Sequence, residues 1–114
     1  MNAIRVLITF AMFSFTITTN AEITVAQHRL ALQAGGRPAE LEQTYVAGLG
    51  RGMWVTNYYA KLFCPPTAFV ANAQNFLQWL DREIEGNPKI TPTEDYIEVV
   101  LLGAMVKVFP CTKH

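Results

Sequence analysis

Residues 63–111 read FCPPTAFVANAQNFLQWLDREIEGNPKITPTEDYIEVVLLGAMVKVFPC. Two runs of similar length, one ending at Glu85 and one from Thr91 to Val108, flank a turn at Gly86-Asn87-Pro88, and a cysteine lies just outside each run. At about 1.5 Å of rise per residue, roughly 20 helical residues out and roughly 17 back return the chain to within a few ångströms of its start. A disulfide tolerates about 4.4 to 6.8 Å between Cα atoms. The spacing therefore predicts an antiparallel helical hairpin stapled at its open end by Cys64 and Cys111. The alternatives for the cysteines are two unpaired buried thiols or, less favoured, a metal site. His28 and His114 lie far from both in sequence and show no ligand spacing.

Within the first run, Val70, Ala73, Leu77, Leu80 and Ile84 repeat at three and four residues and draw an apolar stripe that Phe69, Phe76 and Trp79 widen. Asn72, Asn75, Gln78, Arg82 and Glu85 fall opposite, as in a surface helix with one buried face. Pro65 and Pro66 suit the first turn, where no backbone N–H is required. Gly86 sits where a C-cap is expected and Asn87-Pro88 blocks continuation. Thr91-Pro92-Thr93-Glu94 then has the form of a capping box opening the last helix. That helix is apolar nearly all round from Tyr96 to Val108, which predicts a central position or an oligomer interface. Its β-branched residues leave a buried strand as the competing assignment.

Upstream, Ile23 to Ala34 reads as a short helix with Thr24 as a cap, ended by Gly35-Gly36-Arg37-Pro38. Ala39 to Lys61 carries Leu41, Tyr45, Val46, Leu49 and Met53 at helical spacing. The expected fold class is thus all-α: a small four-helix bundle whose last two helices form the disulfide-stapled hairpin. Gly48-Leu49-Gly50-Arg51-Gly52 superficially resembles a phosphate loop, but no strand precedes it and no lysine-serine or lysine-threonine pair follows. Close helix packing explains it better. Trp54 and Tyr58 share a face and are expected in the core, or else as an exposed anchor for a partner.

At the N-terminus, one positive charge in residues 1–5 precedes an apolar run, Val6 to Ile17, that is shorter than a bilayer span requires. Thr19 and Ala21 then fit a cleavage site before Glu22. Residues 1–21 are expected to be a signal peptide and residues 22–114 a single exported domain, with a periplasmic location. Export favours pairing of the cysteines, since an oxidising compartment preserves the bond. Nine basic residues balance nine acidic ones. That balance gives no electrostatic case for nucleic acid, or for a membrane once the signal is removed.

No catalytic constellation is evident. The only serine, Ser14, lies in the signal segment, and Asp81 with Glu85 at i and i+4 reads better as a solvated face than as an acid-base pair. No enzyme activity, cofactor or metal is expected.

Tyr45-Val46-Ala47-Gly48-Leu49-Gly50-Arg51-Gly52, Phe63-Cys64-Pro65-Pro66 followed by Gln74 and Trp79-Leu80, Asn87-Pro88, and Gly103-Ala104 with Phe109-Pro110-Cys111 together resemble the small periplasmic immunity proteins that protect bacteria from type VI secretion amidase effectors. The resemblance runs from about Tyr45 to Cys111, and the two cysteine motifs at this separation are its most specific part. It implies an all-helical fold, a Cys64–Cys111 disulfide, a homodimer, and inhibition of a cognate peptidoglycan amidase by occlusion of its substrate groove. Where that family's turn is often followed by a histidine-containing or acidic segment, this chain has Lys89-Ile90-Thr91, so the resemblance names no particular effector. The loop Glu85, Gly86, Asn87, Pro88 and Lys89 is the candidate contact. Competing readings are a periplasmic acid-stress chaperone and a scaffold subunit of an envelope complex.

Overall fold

The computed structural model describes residues 22–112. Four helices lie among them, α1 Val25–Ala34, α2 Gly36–Ala60, α3 Ala73–Gly86 and α4 Ile97–Val108, with one isolated antiparallel bridge between Thr24 and Tyr96. The expected signal peptide, residues 1–21, lies outside the described residues.

The first helix begins as its cap predicts. The Thr24 hydroxyl accepts from the Gln27 backbone N–H at 3.1 Å, and the Gln27 side chain accepts from the Thr24 N–H at 2.9 Å. Only Gly35, at φ +67°, separates α1 from α2. The expected four-residue break is shorter because Pro38 falls in the first turn of α2, where its missing N–H has no partner to lose. Helix α2 ends at Lys61, a left-handed residue at φ 49° whose N–H bonds back to the Asn57 carbonyl at 2.9 Å.

Two helix starts differ from expectation. Residues 61–72 carry no helix, and α3 starts at Ala73 rather than beside Pro65 and Pro66. A residue before a proline is disfavoured in the α region, which keeps Cys64 and Pro65 from opening a helix there. The helix waits for Asn72 and Asn75, whose side chains each accept the other's backbone N–H at 2.9 Å. The second case is Thr91-Pro92-Thr93-Glu94, which forms a turn, while α4 begins only at Ile97. Asp95, not Glu94, reaches back to the Thr91 N–H at 2.6 Å. Carbonyls that would have continued a helix serve α1 instead: Pro92 and Asp95 accept from Ala26 and Val25 at 2.8 and 3.0 Å, and Ile97 donates to Ile23 at 2.9 Å.

The core joins Phe76, Leu77, Trp79, Leu80 and Ile84 of α3 to Ile97, Val100, Leu101, Ala104 and Met105 of α4, with Val25, Val46, Phe63 and Ala71 completing it. Val70, expected on the α3 stripe, is mostly exposed because it precedes the helix. Helix α4 is not buried all round, since Val99, Val106 and Val108 face solvent. Trp79 meets Phe109 and Glu83 meets Lys107, so later residues of α3 lie beside earlier residues of α4.

Cys64 and Cys111 form a disulfide with their Cα atoms 5.0 Å apart. Because α3 starts late, the bridge ties the segment that follows α2, rather than the start of α3, to the segment that follows α4. The Cys64 N–H donates to the Phe109 carbonyl at 2.8 Å beside it.

Of Gly48, Gly50 and Gly52 in the interior of α2, only Gly50 is explained by close packing: a Cβ there would sit 2.3 Å from the Phe76 ring. Gly48 and Gly52 face open space and pack against nothing.

Candidate functional site

The expected contact loop is the exit of α3. Glu85, Gly86, Pro88 and Lys89 are exposed and Asn87 is half-buried. Asn87 makes four hydrogen bonds that fix the loop. Its backbone N–H donates to the Glu83 carbonyl at 3.0 Å and its side-chain amide donates to the Glu83 carboxylate at 3.0 Å. Its side-chain oxygen accepts from the Lys89 N–H at 3.0 Å, and its carbonyl accepts from Ile90 at 3.2 Å. The Glu83 carboxylate is also held by Lys107 of α4 at 2.5 Å. Partial burial raises the Glu83 carboxyl pKa, but the bonds from Lys107 and Asn87 outweigh it and hold the group below its ordinary range. The loop is thus an exposed tip on a fixed base.

A second cluster escaped the sequence reading. His28 of α1 has no exposed surface, and its Nδ1 lies 2.6 Å from the buried carboxylate of Glu42 on α2. Its Nε2 has no hydrogen-bond partner but lies at an ion-pair distance of 3.7 Å from the Asp81 carboxylate of α3. Burial pushes the imidazole pKa down, but Asp81 and Glu42 carry it up to about 9. His28 is therefore an imidazolium tying three helices together. Asp81 faces this charge rather than only solvent. The available signal was Gly35: once it is the hinge between two helices, His28 and Glu42 stand at equal distances on either side of it.

A third polar contact closes the N-terminal end. Tyr45 donates to the Glu98 carboxylate, which also accepts from the Ile23 N–H at 3.3 Å. Burial and this bond push the phenol up to about 12. Among the described residues, no three His, Cys, Asp or Glu side chains converge as metal ligands.

The aromatic residues divide. Trp54 packs with Phe63, Phe69, Phe76, Trp79 and Phe109 at centroid distances of 5.6 to 6.4 Å, stacking on Trp79 and meeting Phe109 edge-on. Tyr58, expected to share its burial, is 78% exposed, and Tyr59 is 89% exposed. Beside them runs an open groove of about 590 Å³, lined by Trp54, Asn57, Tyr58, Phe63, Pro65 and Phe69 among others.

No family model, curated protein or solved structure matches this chain.

Proposed function

We propose that the chain is an immunity protein that acts in the periplasm after removal of a signal peptide, binding a peptidoglycan amidase delivered by a type VI secretion system and occluding its substrate groove. The resemblance carried by the two cysteine motifs motivates this reading, and the observation that supports it is the fixed, exposed tip at residues 85–89. A loop whose conformation is already set by Asn87 loses little entropy on entering a groove, which favours tight inhibition. Glu85 and Lys89 offer opposite charges at its ends, Pro88 stiffens it, and Gly86 keeps it narrow.

The test is periplasmic co-expression with a panel of type VI secretion amidase toxins. Rescue from lysis together with a stable complex is the expected result. The double charge reversal E85K/K89E should abolish rescue while leaving the helical content unchanged; unimpaired rescue would remove the loop from the mechanism. Neither rescue nor complex with the unmodified chain would overturn the function itself and turn attention to suppression of aggregation at low pH. The homodimer that the resemblance implies is checked separately by mass measurement over a range of concentrations.

A further inference from the structure

The last turns of α2 present an unpaired apolar face. Val55, Tyr58 and Tyr59 stand at i, i+3 and i+4 and so share one side of the helix, and Leu62 continues the face past its end. Val55 and Leu62 are each more than half exposed, and the two tyrosines more than three-quarters. Contiguous exposed apolar surface of this kind marks an interaction site on a soluble domain.

The face is held in one conformation. Asn57 accepts from the Leu62 and Phe63 N–H groups at 2.7 and 3.0 Å and donates to the Phe63 carbonyl at 2.7 Å. Those bonds fix the left-handed turn at Lys61, and the Cys64 bridge anchors the strand of chain just beyond. The adjoining groove is therefore preformed, with Trp54 and Phe63 among its lining.

Charge selects the occupant. Between Glu42 and Asp81 the sequence contains no Asp or Glu, and its only charges are Arg51 and Lys61. Both are exposed and bracket the aromatic face. A second copy of this chain, laid face to face, would set Arg51 and Lys61 against their own kind, with no carboxylate from residues 43–80 to answer them. An anionic bilayer would gain only about 1 kcal/mol per basic residue from so few cations. We propose that this face docks a protein partner through an apolar helix whose borders carry carboxylates, its large side chains entering the groove beside Tyr58. The surface is separate from the loop at residues 85–89: Trp54 packs on the Phe76 and Trp79 part of α3, and the loop follows that helix's far end.

The test uses residues 22–114 and two synthetic amphipathic helices with the same Leu and Phe stripe, one flanked by Glu and one by Lys, titrated by isothermal calorimetry. The acidic peptide should bind at least about tenfold tighter than the basic one, with the preference shrinking as salt rises. The double substitution Y58S/Y59S, on side chains that are 78% and 89% exposed, should abolish binding while circular dichroism stays unchanged; E85K/K89E should leave it intact. No binding, equal binding of the two peptides, or binding that survives Y58S/Y59S would overturn the proposal. So would capture by phosphatidylglycerol vesicles or a dimer in sedimentation, if either is lost in Y58S/Y59S while the peptides do not bind.

Discussion

The Nδ1 of His28 lies 2.6 Å from the carboxylate of Glu42, with both side chains withdrawn from solvent, so the turn at Gly35 is closed by an ion pair and not by apolar packing alone. Removing Glu42 leaves the His28 imidazolium only the more distant Asp81 carboxylate at 3.7 Å, and breaking a buried pair in this way costs up to about 3 to 5 kcal/mol. Glu42→Ala should therefore lower the urea midpoint sharply. Glu42→Gln, which keeps a hydrogen-bond acceptor, should lower it less.

The same pair sets an alkaline limit. A folded-state pKa raised from 6.5 to about 9 means the stabilisation is fully present below pH 6.5 and is lost as pH rises through 9. That corresponds to about 3 kcal/mol across the window. Denaturant unfolding at several pH values between 6 and 10 should show this fall, and His28→Gln should flatten it. Tyr45, raised to about 12, adds a further loss only above the ordinary tyrosine value of 10.

Glu83 gives the opposite limb. Its carboxyl is held below the ordinary value of 4.5, so its contribution is present above that pH and is lost as the solution is acidified through the lower folded value. Lys107 is mostly exposed, so screening keeps the pair's share to about 1 kcal/mol or less. Glu83→Gln should reduce the acid-side slope and loosen the loop, which hydrogen exchange at the Asn87 and Lys89 amides would report.

Gly50, Gly48 and Gly52 should part company on substitution. Gly50→Ala places a methyl group against the Phe76 ring and should destabilise by about 1 to 3 kcal/mol. Gly48→Ala and Gly52→Ala enter open space in a helix interior and should each stabilise by about 0.5 to 1 kcal/mol. Thermal melts of the three variants make the comparison directly.

Reduction of the Cys64–Cys111 bridge, or the double variant C64S/C111S, should cost about 2 to 4 kcal/mol. A melting temperature unmoved by a reducing agent would contradict this.

What the sequence disclosed was local chemistry. The Thr24 cap, the glycine break after Ala34 and the apolar stripe from Phe76 to Ile84 each act through neighbours a few residues away, and each stands where expected. The errors arose where two local signals competed or a distant element intervened. Pro65 and Pro66 satisfy a helix start but also restrain the residues before them, and Asn72 with Asn75 won. Thr91 and Glu94 satisfy a capping box, but Asp95 took the Thr91 amide and α1 took the carbonyls. Tyr58 has the helical spacing of a core residue, but nothing in the pattern revealed that α3 would cover Trp54 and stop short of the next turn. The candidate loop was legible as a turn; its bracing by Glu83 and Lys107 was not, because Lys107 lies on the other helix.

The bridge between Cys64 and Cys111 also decides how the molecule would bear mechanical load. Tension applied at its two ends passes through the sulfur atoms and bypasses α3 and α4, so pulling can unravel α1 and α2 while the segment between the cysteines stays slack. With a sequence separation of 47, that hidden length is about 160 Å of contour, and it becomes available to a pulling force only when the bridge is reduced.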